Sequence, residues 1–272
     1  MTFVLTATKV LNILSKTLKD AVSGFFEFYS LCEGGGLFKK PGNHIAIITA
    51  LAKKKKGLLR EEILQASKLP DNTAFTKAIQ ELEQCGFIRK YTDIGKKSKY
   101  AIYQLIDNYT IFYFDFIKEN VNGDEHFWTS SAGTGIHYGW AGRAFERVCL
   151  QHISQIKEAL GFSAVVSSAH SWYQKDIKDP YTGHTIQKGA QIDLLIDRND
   201  DTINLCEMKY ANAPYVITEE EDMRIRNRKE TFIRESGTEK TVLVTTITTF
   251  GLAPGGYSDD IQCQLTMSDL FR

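Results

Sequence analysis

Three charged residues lie inside apolar stretches in the second half of the chain. Asp193 falls within Gln191-Ile-Asp-Leu-Leu-Ile-Asp, and Glu207 and Lys209 fall within Leu205-Cys-Glu-Met-Lys. Such stretches are typical of buried strands, where ionised side chains are rare unless they are paired or bound to a metal. A fold for this chain must therefore supply partners for three buried charges.

The segment between the two stretches predicts that they form an antiparallel hairpin. Arg198-Asn-Asp-Asp-Thr202 is polar and typical of a turn. If positions 197 and 203 pair, Asp193 lies opposite Glu207, with Cβ atoms roughly 4.5–5.5 Å apart. Lys209 shares that face because strand side chains alternate. The hairpin is predicted to gather two carboxylates and an ammonium, which is a site for a divalent cation with an amine beside it.

A third carboxylate is predicted to join this group. In Trp140-Ala-Gly-Arg-Ala-Phe-Glu-Arg-Val-Cys-Leu, Glu146 lies on the same helical face as Cys149, Leu150 and Ile153. That apolar face should pack on the sheet, where an acidic residue needs a cationic partner. A metal or Lys209 would supply it.

The composition limits the class of protein. The 272 residues suffice for one large or two ordinary domains, and 33 basic and 33 acidic residues cancel. Nucleic-acid binding would therefore depend on local basic patches. No apolar run approaches the ~20 residues needed to cross a bilayer, and the N-terminus does not resemble a signal peptide. The five cysteines are scattered without Cys-x-x-Cys spacing, which favours a reducing, cytoplasmic location.

The first half has the pattern of a winged helix from Asn43 onward. We expect Asn43 to cap a first helix, Arg60-Glu-Glu-Ile-Leu-Gln-Ala-Ser to form a second, and Asp71 to cap a third that ends at Gly86. Two strands are predicted at 87–91 and 100–105, joined by a basic loop. An aromatic helix at 109–117 follows and connects the two halves.

The second half predicts a mixed sheet flanked by helices, so the fold class is α/β, or α+β over the whole chain. The expected order is a helix at 140–160, a strand at 163–173, a polar loop at 174–187 and the two hairpin strands. A helix at 218–236 and a strand at 241–247 follow. Thr218 and Glu221 have the spacing of a capping box for the second helix.

A glutamate on a first helix, followed by Asp193 and by Glu207-Met-Lys209 on a hairpin, resembles the PD-(D/E)XK nuclease superfamily, restriction endonucleases included. The resemblance implies that Asp193 and Glu207 bind Mg²⁺, for which Mn²⁺ can substitute, and that Glu146 completes the site. Lys209 would orient the attacking water or stabilise the charge that develops on the phosphate. Ile192 and Gln191 stand where many members have a proline or a further acid.

Residues ~38–272 are similar to the C-terminal portion of a family of prokaryotic AAA-type ATPases. Asn43-His-Ile-Ala-Ile, Gly86-Phe-Ile-Arg-Lys-Tyr and Ile192-Asp-Leu-Leu-Ile-Asp carry this resemblance. It implies a remnant of the ATPase lid at 1–40, a winged-helix domain with its connecting helix at 41–120, and a nuclease-like domain at 126–272. Gly-x-x-x-x-Gly-Lys-Ser/Thr occurs nowhere in the sequence, so no nucleotide is expected to bind.

Two sets of basic residues have alternative interpretations. Those around the loop of the winged helix either contact DNA phosphates or form an ordinary solvated tip. They are Arg89, Lys90, Lys96, Lys97 and Lys99. Those on the helix at 218–236 either flank a scissile phosphate or form a solvated face. They are Arg224, Arg226, Arg228 and Lys229.

Two functions therefore stay open. The protein is either a Mg²⁺-dependent DNA nuclease, or a catalytically inactive module that binds DNA or a protein partner such as a separately encoded ATPase. The complete Asp, Glu and Lys set favours the nuclease, whereas the zero net charge and the missing ATPase domain favour the module.

Overall fold

The computed structural model describes residues 41–95, 100–118, 126–187, 189–255, 257 and 259–271. The proposed lid remnant at 1–40 and the predicted DNA contacts Lys96, Lys97 and Lys99 lie outside these residues. The described chain is mixed α/β and divides into two compact units. The first runs to Lys90 and resumes at Ile102–Trp140, and the second comprises Tyr91–Ala101 and the chain from Ala141 onward.

The described part of the first unit begins with three helices and a three-stranded sheet in the order β1-β3-β2. Its core consists of fully buried side chains such as Ile47, Leu51, Phe75 and Leu82. The elements, in chain order, are α1 (Gly42–Ala52), β1 (Leu58–Leu59), α2 (Arg60–Ser67), α3 (Thr73–Gln84), β2 (Ile88–Tyr91) and β3 (Ile102–Leu105). The three predicted helices and the two predicted strands are confirmed; the two-residue β1 was not foreseen.

The two predicted helix caps in this unit are wrong, by two residues for α1 and by one residue for α3. α1 already begins at Gly42 without a side-chain cap, so Asn43 is helical. α3 is capped by Asn72, whose extended backbone lets its side-chain oxygen accept the Phe75 N–H at 3.0 Å. The predicted cap, Asp71, pairs instead with Arg60. Asp71 and Asn72 are both good capping residues. Asp71 forms an ion pair with Arg60, and Asn72 caps the helix.

The predicted aromatic helix is confirmed as α4 (Asn108–Phe112), which continues as one π-helical turn at Tyr113–Ile117. Phe112 packs edge-on against Trp128 and Trp140, with ring centroids 4.9 and 5.4 Å apart. Trp128 lies on the short helix α5 (Phe127–Ser130).

The second unit is built on a five-stranded mixed sheet in the order β10-β9-β8-β7-β4. β4, β7 and β8 are antiparallel neighbours, whereas β8, β9 and β10 run parallel. The helix α6 (Gly135–Gln151) enters this unit at Ala141. The further elements are α7 (Ile153–Ala159), β4 (Ser167–Gln174), β5 (Ile177–Lys178), β6 (Thr185–Gln187), β7 (Ala190–Arg198), β8 (Thr202–Lys209), α8 (Glu219–Ser236), β9 (Thr241–Thr248) and β10 (Cys263–Thr266). The predicted mixed sheet flanked by helices is confirmed.

Three details of this unit differ from the prediction. The helix expected at 140–160 is two helices, because the backbone of His152 leaves the helical region at φ −112° and ψ 31°. The loop expected at 174–187 contains the paired strands β5 and β6. β10 was not predicted, since Cys263–Thr266 is only four residues long.

The sheet lies between two helices. On one face, Phe145 and Cys149 of α6 pack with Leu194 and Met208. On the other, Phe232 of α8 packs with a second cluster of strand residues. These are Ile192, Leu195, Ile203, Leu205 and Val242. No helix among the described residues has the length and apolar character needed to cross a membrane.

We predict that Gly57→Ala destabilises the first unit far more than Gly86→Ala. Both glycines have a left-handed backbone, with φ of +86° and +76°, which costs alanine about 1–2 kcal/mol. A Cβ on Gly57 would also lie 2.4 Å from the Tyr103 carbonyl oxygen, whereas one on Gly86 meets nothing within 4 Å. Urea unfolding followed by circular dichroism should show a further loss of about 1–3 kcal/mol for Gly57→Ala. Equal losses would contradict the close backbone approach.

Candidate active site

The hairpin register predicted from the sequence is confirmed over four pairs. Asp197 pairs with Ile203, and the ladder continues to Leu194 and Cys206. Asp193 and Glu207 stand at the next position, where this ladder ends. The two carboxylates that the sequence singles out are therefore next to each other at one end of the β7–β8 pairing.

A β-bulge interrupts β7 at Asp193. Between successive pairs β4 advances two residues, from His170 to Trp172, while β7 advances three, from Leu195 to Ile192. β7 therefore carries one extra residue at positions 193–194. Bulges re-aim side chains and often lie beside active sites.

The bulge interrupts the alternation of side chains between the two faces of the sheet at Asp193. Ile192 and Leu195 belong to the same cluster around Phe232, although an uninterrupted strand would place them on opposite faces. Leu194 packs on the α6 face instead. Asp193 thus lies where the strand changes face and is half-buried, and its Oδ1 accepts a hydrogen bond from Gln191 Nε2 at 2.6 Å.

Glu207 is buried and paired with an arginine that the sequence did not assign to it. Only 7% of the residue is exposed, and Arg228 Nη1 lies 2.7 Å from each carboxylate oxygen. Burial raises the pKa of Glu207, and the Arg228 guanidinium opposes that shift. Arg228 is therefore the principal counter-ion of the buried carboxylate.

Lys209 has its own partner on the same helix. Its Nζ lies 2.6 Å from Glu221 Oε1, and the Tyr215 hydroxyl donates to the other oxygen. Burial acts to raise the pKa of Glu221, but the hydrogen bonds from Lys209 and Tyr215 outweigh it and leave that pKa below its ordinary value. Thr218 caps α8 by accepting the Glu221 N–H at 3.3 Å, but the Glu221 side chain pairs with Lys209 and Tyr215 and does not complete the predicted capping box.

Glu146 lies on α6, whose apolar face packs on the sheet as predicted, with Cys149 and Leu150 buried. Burial raises the pKa of Glu146 to about 7; the negative charge of Asp193 adds to this shift, while cations including Lys209 oppose it. The pKa of Glu207 is in turn lowered by the charge of Lys209 and raised by that of Asp193. All four residues predicted for the site are therefore within electrostatic reach of at least two others.

The side chains of the site include the oxygen donors that a hard divalent cation prefers. Glu146, Asp193 and Glu207 offer carboxylate oxygens, which Mg²⁺ prefers. Thr246, the β9 neighbour of Glu207, has a buried hydroxyl oxygen that finds no hydrogen-bond partner within the described ranges. Within the part of the chain that the structure describes, no three His, Cys, Asp or Glu residues converge as metal ligands.

Other predicted residues are engaged elsewhere. Arg89 donates from Nε to Gln104 at 2.7 Å, and the ammonium of Lys90 lies 5.9 Å from the ring centroid of Tyr103; both contacts are within the first unit. On α8, Arg224 pairs with Glu220, and Arg226 pairs with Asp222 and Asp260. These pairs agree with the alternative that the two arginines belong to a solvated face of the helix.

Two site residues, Glu221 and Arg228, were missed as partners by the sequence analysis. They lie seven positions apart on α8, on the same helical face as the buried Ile225 and Phe232. The signal in the sequence is that the two charges alternate with Ile225 and Phe232 along one helical stripe. Because that stripe has to pack on the sheet, both charged side chains are expected to face the sheet as well.

Comparison with protein-family models, curated proteins and solved structures found no match to this chain. The family resemblance noted in the sequence therefore stays a prediction. The geometry of the site has to carry the functional argument.

The raised pKa of Glu146 predicts a pH-dependent stability. The folded protein holds a proton that the unfolded chain releases between pH 4.5 and about 7, so the free energy of unfolding falls as pH rises through this window. Glu146→Gln should remove this loss and be more stable than wild type by roughly 1–3 kcal/mol near pH 8, with a shrinking difference toward pH 4.

Urea unfolding at several pH values in metal-free buffer measures this effect. Glu158→Gln is the matched control, because Glu158 is an exposed glutamate on α7. Parallel pH profiles for wild type and Glu146→Gln would contradict the burial of an ionisable Glu146.

Proposed function

We propose that the protein is a divalent-metal-dependent phosphodiesterase that cleaves DNA, with a PD-(D/E)XK-type fold and a winged-helix domain. One observation carries this proposal: Glu146, Asp193, Glu207 and Lys209 come from three elements, and each lies within electrostatic reach of at least two of the others. Three carboxylates and an ammonium at one end of a strand pair suit the binding of a cation and a phosphate.

The element order supports the fold part of the proposal. α6, β4, β7, β8, α8 and β9 follow one another as a helix, three antiparallel strands, a helix and a parallel strand, the order that the resemblance implies. In the first unit, three helices precede the β2–β3 pair, which is the order expected of a winged helix.

The chemistry of the proposed reaction follows from the individual side chains. A bound Mg²⁺ would activate water and neutralise charge on the phosphate. Asp193 and Glu207 would hold it, with Glu146 as a further oxygen donor. Lys209, an ammonium bonded to the Glu221 carboxylate, can donate to a phosphoryl oxygen and stabilise the transition-state charge. Glu221 and Tyr215 would orient Lys209.

A second function is favoured by a different observation. Glu207 and Lys209 are each neutralised by a residue of α8, as in a purely structural ion-pair cluster. The protein would then be a catalytically inactive module that binds DNA or a protein partner, for example an ATPase encoded separately.

Asp193→Ala should abolish cleavage if the first proposal is correct. Losing one cation ligand removes several kcal/mol of transition-state stabilisation, so we expect at least a ~100-fold lower rate. Plasmid and linear DNA are incubated with the purified full chain in Mg²⁺ or Mn²⁺. Asp200→Ala, in the exposed turn of the same hairpin, is the control and should keep wild-type activity.

Two outcomes would support the inactive module instead. They are a wild-type protein that cleaves neither substrate, or equal cleavage by wild type and Asp193→Ala.

Lys96→Gln with Lys97→Gln should weaken DNA binding if the basic loop contacts phosphates. Each lost phosphate contact reduces the slope of log K against log [salt] by about 1. Fluorescence anisotropy with a labelled duplex at several salt concentrations measures this slope. Lys53→Gln with Lys54→Gln makes the same charge change on the exposed lysines after α1 and should leave the slope unchanged. An unchanged slope in the loop variant would count against DNA binding by the loop.

A further inference from the structure

The position of Arg228 on Glu207 resembles that of a bound cation. Its Nη1 is equidistant from the two carboxylate oxygens, at 2.7 Å from each. An atom placed so lies on the bisector of the carboxylate, the direction from which a cation that binds both oxygens approaches. The guanidinium and such a cation therefore exclude each other.

The surroundings of Glu207 contain oxygen atoms that Arg228 does not use. Thr246 is 2% exposed and pairs with Glu207 across the β8–β9 ladder, so both side chains lie on the same face. Its hydroxyl oxygen has no hydrogen-bond partner among the residues that the structure describes. An orphaned buried hydroxyl beside a carboxylate is costly unless another ligand satisfies it.

The two partners differ in their access to water. The side chain of Arg228 is 28% exposed, whereas that of Glu207 is 8% exposed. The guanidinium can therefore move into solvent at low cost. The carboxylate cannot do so, and a buried carboxylate without a positive partner is strongly destabilising.

We propose that Arg228 is an internal counter-ion that competes with the divalent cation for Glu207. The cation replaces the guanidinium, and the Thr246 hydroxyl gains a partner in the cation-bound state. Arg228 is thus a positioning residue that sets the cation affinity of the site. This inference rests on the cation requirement of the proposed nuclease, and it is tested by binding instead of cleavage.

Calorimetric titration of Mn²⁺ into the metal-free full chain tests the competition. Arg228→Gln should bind Mn²⁺ at least about tenfold more tightly than wild type, because the competing cation is gone. Arg228→Lys, which keeps the charge but loses the planar guanidinium, should lie between the two. Arg224→Gln is the matched control, because it removes the same charge from the same helix at a residue that pairs with Glu220.

The gain in Mn²⁺ affinity should depend on Glu207. The double variant Glu207→Gln with Arg228→Gln should therefore lose this gain. Thermal unfolding gives a second readout that a purely structural role would not produce. Without metal, Arg228→Gln should melt below wild type, and Mn²⁺ should raise its Tm more than that of wild type. If Arg228→Gln does not fold, Arg228→Lys must show tighter binding than wild type.

Affinity within twofold of wild type, an equal gain in Arg224→Gln, or no Mn²⁺ binding by any variant would overturn the proposal. The outcome is separable from that of the nuclease. Cleavage by wild type without a gain in Arg228→Gln would overturn only the role of Arg228. A Glu207-dependent gain without cleavage would support the competition and overturn the nuclease.

Discussion

The buried carboxylate of Glu207 constrains the whole second unit. It lies on β8, the central strand of the sheet, where an unpaired charge would cost several kcal/mol. Arg228 supplies the positive partner from α8, and two residues along the strand Lys209 binds Glu221 of the same helix. These two ion pairs tie α8 to β8 at two points, and Phe232 adds apolar packing on the same face.

A site that uses these residues for chemistry has to break part of this arrangement. An ion pair that holds the sheet together also occupies the atoms that a cation would need. The bulge at Asp193 places a further carboxylate near the pair without adding a cation. Glu146 lies on α6, and its pKa of about 7 reflects burial first and the negative charge of Asp193 second. In the proposed nuclease the same region would have to serve both the fold and a bound cation, and the proposed competition of Arg228 for Glu207 would decide between the two.

Much of the fold could be predicted because local patterns determine it. The apolar stretches of β7 and β8 and the polar turn between them fixed the hairpin register to the residue, and α2 has the predicted limits, Arg60–Ser67. The cap of α3 could not be predicted, because Asp71 and Asn72 are both suitable and a distant Arg60 decides between them. β10 was missed because a short parallel strand at the edge of a sheet forms only through its hydrogen bonds to the neighbouring strand, here β9.

The sequence by itself determined that Asp193, Glu207, Lys209 and Glu146 need partners, since charges in apolar stretches and on an apolar helical face cannot stay unpaired. It also determined the pairing that brings the two strands together. Only the tertiary structure decided which partners they have. Arg228 and Glu221 approach the strand across an inter-element contact, and the bulge arises from the match of β7 to β4. Both depend on how separate elements pack, which local spacing does not encode.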